Sequence, residues 1–195
     1  MRYYPAFLDL QGKPCVVVGG GGIAWRKVKA LRACGARVTV VSPEVVRPLA
    51  GMARRQEIVW RRRRFRPGDV DAACLVVAAT DDQRVNRAVF ARASLRRRLV
   101  NVVDQPALCS FIVPSIMSRG ALTIAISTGG ASPALSKWLR RDLTARYGPR
   151  FARVLERMRA WRAQVHRRHA SPRQRKQALE TLLHRELRRA GITAR

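Results

Sequence analysis

Short β-branched apolar runs alternate with helix-spaced apolar residues over roughly the first hundred positions. Cys15–Gly19 (CVVVG) reads as a strand ending in glycines, followed by a helix from about Gly22 to Cys34 that Gly35 stops. Arg37–Val41 (RVTVV) reads as a second strand, and Pro43 as the start of another short helix. Ile58–Trp60, followed by arginines, suits an edge strand with one wet face. Leu75–Ala79 (LVVAA) is a fourth strand, Asp82–Arg97 a helix opened by acids, and Val100–Val103 a fifth strand that leads to Asp104. Continuous apolar strands separated by helices predict a parallel sheet covered on both faces, joined by right-handed crossovers. The expected class is α/β with a Rossmann-type sheet.

From Pro106 the pattern changes. Phe111–Ile116 contains Pro114, which bars it from the centre of a parallel sheet. Ala121–Ser127 (ALTIAIS) alternates and suits an antiparallel or exchanged strand. Ser132-Pro133 is an N-cap followed by proline at the first helical position, and this helix should run to about Tyr147, before Gly148-Pro149. Residues 150–195 read as two amphipathic helices split at Ala170-Ser171-Pro172. The expected layout is a nucleotide-binding domain over 1–113, a small dimerisation segment over 114–148 and a C-terminal helical domain over 149–195.

Chemistry concentrates in Gly19-Gly20-Gly21-Gly22-Ile23-Ala24, which matches G-x-G-x-x-G/A at Gly19, Gly21 and Ala24. Its setting carries more weight than the match, because a strand precedes it and a helix follows. Gly19 permits a tight turn, Gly21 lets backbone N–H groups reach a diphosphate, and Ala24 keeps helix and sheet close. Without a ligand the same residues would merely turn the chain. An NAD site usually places an acid at the end of the second strand, but here the chain reads Val41-Ser42-Pro43-Glu44. Ser42 is a candidate for a ribose hydroxyl and Glu44 comes two residues late, so this position leaves NADP open beside NAD.

Composition adds one strong feature. The chain has 195 residues and a formal net charge of +28, carried mostly by arginine in runs such as Arg61–Arg64 and Arg96–Arg98. Residues 151–195 alone hold thirteen Arg or Lys against three Glu, or +10. Such a field attracts nucleic acid, anionic membranes or polycarboxylates, although arginines spread this widely also make an ordinary solvated surface. The four cysteines form no C-x-x-C pair, so neither a disulfide framework nor a zinc site is expected. His166, His169 and His184 all fall in the basic tail. The first two could share a helix face, but two ligands make a poor metal site, and no resident metal is expected. The N-terminus lacks an apolar leader and no run approaches the roughly 20 residues of a membrane span, which suggests a cytoplasmic protein away from membranes.

Five motifs appear in order at matching intervals: Tyr4-Pro5-x-Phe7-x-x-Leu10, the glycine loop with Arg26-Lys27, Ala78-Ala79-Thr80-Asp81-Asp82, Asn101-Val102-Val103-Asp104, and Ser127-Thr128-Gly129-Gly130-Ala131-Ser132-Pro133. Together they resemble the precorrin-2 dehydrogenase module of siroheme synthase, clearly over about residues 1–150 and weakly in the helical tail. The resemblance implies NAD-dependent oxidation of precorrin-2 to sirohydrochlorin. Some members of that family also insert ferrous iron to give siroheme, although no histidine occurs in the first 165 residues of this chain to serve as a ligand near Asp104. It implies a homodimer that exchanges contacts near residues 115–145, and methylation supplied by a separate protein.

By the same resemblance, NAD contacts map onto Gly22, Ile23, Pro43 and Glu44, and the catalytic aspartate onto Asp104. Asp104 ends the fifth strand, on the carboxyl edge where ligands gather, and its carboxylate suits a proton acceptor. Read alone, Asp104-Gln105-Pro106 is an ordinary Asp-initiated turn. Thr80 would touch the nicotinamide or its ribose, while Asp81 and Asp82 equally suit a helix start. The Ser127–Pro133 loop would border the tetrapyrrole, whose carboxylate arms give the basic surface a purpose. The alternative is a basic nucleotide-sensing or nucleic-acid-binding Rossmann protein. It accounts for the charge but not for Asp104 and the Ser127–Pro133 loop in register, and no helix-turn-helix or RNA-recognition signature accompanies it.

Overall fold

The computed structural model describes residues 2–168 and 171–192, in two compact units, Met1–Val113 and Pro114–Arg195. In the first, β1 (Pro14–Val18), α1 (Gly22–Ala33), β2 (Arg37–Val41), α2 (Arg47–Arg54), β3 (Val59–Arg61), β4 (Leu75–Ala78), α3 (Gln83–Leu95) and β5 (Leu99–Val102) follow in chain order. The strands form one parallel sheet ordered β3-β2-β1-β4-β5. The chain thus builds outward from β1 on one side, then returns to build outward on the other. The switch between β1 and β4 opens a crevice at the carboxyl ends of those strands, where ligands of such folds gather.

Alternation along the strands divides the core between the two faces. Cys15, Val17, Val38, Val40 and Val77 pack with Ala24, Val28 and Leu31 of α1 and Leu49 of α2. Val16, Val18, Val76, Val100 and Val102 pack on the other face with Val89 and Ala93 of α3. Both faces are dry, as the near-continuous valines require, and each buried valine contributes roughly 1.5–3 kcal/mol. Cys15 belongs to this core. Burial, reinforced by the neighbouring Cys74 thiol, pushes its own thiol up to about 12, so it stays protonated and acts as a small hydrophobe.

The expected α/β class with a Rossmann-type sheet is what the chain adopts, with two local corrections. No helix begins at Pro43; α2 begins at Arg47, with Pro48 in its first turn. Residues 43–46 instead cross the glycine loop as irregular chain, where the Val46 N–H donates to the Gly20 carbonyl. Asp104 also does not end β5, which stops at Val102; the chain then turns.

The second unit holds an antiparallel hairpin, β6 (Ser115–Arg119) and β7 (Leu122–Ile126), and helices α4 (Pro133–Arg146), α5 (Arg150–Arg168) and α6 (Pro172–Arg189). Strand β6 starts only after Pro114, whose missing N–H could not serve a ladder. Gly120, at φ 58°, occupies the first central position of the two-residue hairpin turn, where a side chain would be strained. Ser132 caps α4 by accepting from the Leu135 N–H at 3.1 Å. Helices α5 and α6 enclose Glu186, which is 1% exposed and accepts from Arg157 at 2.9 Å and Arg189 at 3.3 Å. A carboxylate buried so deeply is tolerated because cations and hydrogen bonds accompany it. His166 lies in the last turn of α5, while His169 lies outside the described residues. No helix among the described residues is long and apolar enough to cross a membrane.

Candidate functional site

A cleft of about 890 Å³ opens at the switch between β1 and β4, lined by the glycine loop, residues 41–46, Arg64-Phe65, and residues 79–82 with Val85. It brings together Gly19, Gly21, Gly22, Ile23, Pro43, Glu44 and Thr80, residues separated by up to 61 positions in sequence.

The four glycines have different physical tasks. Gly19 has φ 119°, and a Cβ there would stand 2.2 Å from the Ala79 carbonyl oxygen, so the turn out of β1 tolerates no side chain. A Cβ on Gly20 would stand 1.9 Å from the Glu44 carbonyl oxygen, because residues 43–46 cross directly over it. At Gly21 and Gly22 a Cβ would meet nothing within 4 Å, since those positions face the open cleft. Gly21 is the N-cap of α1, and neither a capping side chain nor a first-turn acid satisfies its leading N–H groups. Helix α3 differs: the Asp82 carboxylate accepts from the Arg84 and Val85 N–H groups. A dinucleotide fits this geometry, because α1 offers uncapped amides and positive dipole at a bare backbone, the requirements of a diphosphate.

A smaller hollow of about 220 Å³ adjoins the cleft, sharing Ile23, Ala79, Thr80 and Asp81 and adding Gln83, Val103, Asp104 and Gln105. Asp104 is exposed and has φ 57°, a left-handed conformation that Asp adopts more readily than most residues. The turn is fixed by the Gln105 N–H donating to the Val102 carbonyl, and by a hydrogen bond between the Gln105 and Gln83 side chains. Lys27, one turn beyond Ile23 on α1, is half-buried. Burial and the neighbouring Arg26 push its ammonium down, while the Asp104 carboxylate opposes them.

One sequence expectation changes, and one loop is bonded within itself. Ser42 is buried and its hydroxyl donates to the Glu44 carbonyl at 2.6 Å, so its proton is already committed and not offered to a ribose. In the Ser127–Pro133 loop several donors are likewise used internally. The Ser132 N–H donates to Thr128 Oγ1 at 3.2 Å, and the Ser132 side chain takes the Leu135 N–H. Conversely, Arg64, Phe65, Val85 and Asn86 were not singled out from sequence. The signal for Arg64 was the parallel register, which pairs Val41 with Arg61 and so sets the loop after β3 beside the loop after β2.

Residues 6–115 match an NAD(P)-binding family model, and residues 119–146 match the family described as the central part of sirohaem biosynthesis protein. The chain is 45% identical over 162 residues to Siroheme synthase 1 of Klebsiella pneumoniae, covering 83% of this chain and 34% of that protein. It is 51% identical over 140 residues to the siroheme synthase of Methylobacillus flagellatus, covering 72% and 30%. The chain belongs to the family of siroheme synthase N-terminal modules. It spans about a third of the length of these relatives. A solved structure titled SirC, precorrin-2 dehydrogenase, superposes with a TM-score of 0.80 at 29% identity, covering 97% of this chain and 99% of that one. The family's NAD(P)-binding region contains the cleft, the glycine loop and the Asp104 turn.

Proposed function

We propose that this siroheme synthase-family chain oxidises precorrin-2 to sirohydrochlorin with NAD. One observation carries the reading: an uncapped helix start at a bare glycine backbone opens into a cleft that adjoins the hollow holding Asp104. The dinucleotide's diphosphate would rest on the amides of Gly22 and Ile23, with Gly19 and Gly21 shaping the turn, Pro43 and Glu44 bordering the adenosine, and Thr80 facing the nicotinamide. When bound, NAD supplies the acceptor for the hydride that leaves the tetrapyrrole. The oxidation also releases a proton, and the Asp104 carboxylate takes it at an exposed oxygen.

The solved relative titled a precorrin-2 dehydrogenase covers nearly the whole chain, which supports this assignment over the nucleic-acid alternative. The arginine runs are compatible with it too, because several of these side chains have structural partners within the first unit. Arg61 and Arg63 hold Asp69, while Arg92, Arg96 and Arg98 converge on Asp71. We also propose that the protein is a homodimer through the second unit, where Ile116, Leu135 and Trp138 stand exposed at 49%, 48% and 61%. Ferrous iron enters this scheme as a second substrate, inserted into the product ring.

The test combines purified protein, precorrin-2 and NAD under anaerobic conditions and follows NADH absorbance. Ferrous iron is then added and siroheme is sought in the spectrum. NADH formation that requires the tetrapyrrole is the expected result, and its absence with both substrates present overturns the dehydrogenase reading.

A further inference from the structure

One cation beside the Asp104 hollow has no partner of its own. Helix α1 carries Ile23 into the hollow and Lys27 one turn further along the same face. Lys27 is half-buried, yet among the described residues no acid pairs with its ammonium and no acceptor takes its protons. Its electrostatic neighbours are the Arg26 guanidinium, the Asp104 carboxylate and the Cys109 thiol, the last two in the segment that follows β5.

A charge withdrawn from water needs a counterion within hydrogen-bond reach. The fold does not provide one here. No ion pair joins Lys27 to Asp104, and burial and Arg26 push the ammonium below the ordinary lysine range. Arg26 itself is exposed and solvated, so it has no such need. The substrate of the proposed reaction is a ring edged with carboxylate arms, and its reacting edge has to approach the Asp104 carboxylate. An anionic arm drawn in beside that carboxylate is repelled unless a cation stands close. A lysine suits the task, because its flexible stem lets a compact ammonium follow the arm.

We propose that Lys27 is a substrate-positioning residue, whose ammonium takes one carboxylate arm of the tetrapyrrole and so sets the ring against Asp104. This rests on the dehydrogenase reading above and extends it from the reacting edge to the rim of the ring. The bound arm supplies the counterion that the folded chain withholds, so the ion pair forms only in the complex. Loss of the ammonium therefore costs substrate binding rather than stability.

Steady-state rates with precorrin-2 and NAD, anaerobic titration with sirohydrochlorin, NADH titration and thermal unfolding test this together. Lys27→Met should raise the KM for precorrin-2 and weaken sirohydrochlorin by about tenfold or more, as expected when one charge-assisted hydrogen bond is lost. NADH affinity should stay near that of the parent, and the unfolding midpoint should be equal or higher, because an unpaired half-buried charge is gone. Lys27→Arg should recover most of the lost affinity. In the parent, the KM for precorrin-2 should climb with pH below the ordinary lysine value of 10.5, as the ammonium gives up its proton. Lys27→Met should lack that climb, and since Arg26, Asp104 and Cys109 are present in both proteins, the difference belongs to Lys27. If Lys27→Met turns over with a loss of tetrapyrrole affinity smaller than about tenfold, the inference fails and the dehydrogenase reading stands. The same holds if the variant loses NADH affinity and unfolding midpoint together, since Lys27 would then be structural. If the parent neither oxidises precorrin-2 nor binds sirohydrochlorin, both readings fail.

Discussion

The Asn86 side-chain amide donates to the Thr80 carbonyl at 2.9 Å, and its Oδ1 lies 2.8 Å from Thr80 Oγ1. Asn86 is 2% exposed on α3, so one buried residue clamps both the backbone and the hydroxyl of the residue at the lip of the cleft. Thr80 Oγ1 also lies 3.0 Å from the Asp82 carbonyl, which leaves its lone pairs, rather than its proton, to meet a ligand. The turn from β4 into α3 is thus held by a side chain that does not itself line the cleft.

Asn86→Ala should therefore lower both stability and nucleotide affinity. Removing the amide leaves the Thr80 carbonyl without its donor near a buried site, at a cost of about 1–3 kcal/mol. Thermal unfolding should show a lower midpoint, and NADH titration a weaker fit even at temperatures where the variant is fully folded. Unchanged affinity in the folded variant would show that the turn keeps its shape without the clamp.

The glycines of the loop should separate stability from binding. Gly19→Ala forces a side chain into positive φ and onto the Ala79 carbonyl, so the protein should lose on the order of 2 kcal/mol or more and unfold earlier. Gly21→Ala adds a methyl group that meets nothing within 4 Å, so its unfolding midpoint should stay near that of the parent. That methyl group projects where the diphosphate approaches, and NADH affinity should fall at least tenfold. Equal effects of the two substitutions on unfolding would contradict these assignments.

Much of this was legible from sequence, for physical reasons. Valine runs of four or five residues fit only strands dry on both faces, and a glycine cluster between such a strand and a helical pattern has few uses. Residues 43–46 were harder. A proline after a strand reads as a helix start, and only the approach of the Glu44 carbonyl to Gly20 shows why that segment stays out of the helix. Arg64 and Asn86 escaped notice because their roles depend on what their neighbours do. Nothing local reveals that Arg61 and Arg63 are claimed by Asp69, or that Asn86 faces Thr80 rather than solvent.

The Asp69 cluster makes stability depend on acid. Burial pushes the Asp69 carboxyl up, but hydrogen bonds from Arg63, the Arg66 N–H and Arg61 outweigh it and hold it at about 2, below the ordinary 3.8. A carboxylate held down in the folded state stabilises at pH values above 3.8, and that contribution is lost as pH falls towards 2. It is on the order of 2 kcal/mol. Asp69→Asn should be the less stable protein at neutral pH, and denaturant titrations should show the gap closing between pH 4 and 2. A gap independent of pH would assign the loss to packing instead.

Trp138, at 61% exposure, should report on self-association. If a second copy covers it together with Leu135 and Ile116, Trp138→Ser should shift the sedimentation profile towards monomer at micromolar concentration. A parent protein that is already monomeric there would remove the basis for the dimer.

Asp104 offers the sharpest separation of chemistry from structure, because its backbone limits which substitution is informative. At φ 57° an alanine would strain the turn, whereas asparagine adopts the left-handed region about as readily as aspartate. Asp104→Asn therefore keeps the turn and removes only the proton acceptor. NADH affinity and unfolding midpoint should stay close to the parent, while tetrapyrrole-dependent NADH formation falls about 10²- to 10⁴-fold. The Lys27 ammonium, which the Asp104 charge helps to keep protonated, loses that support in the variant and should titrate lower, a change visible by NMR of the labelled lysine. Full activity in Asp104→Asn would move the proton acceptor elsewhere in the hollow. Loss of activity together with loss of NADH binding would instead make Asp104 part of the nucleotide cleft.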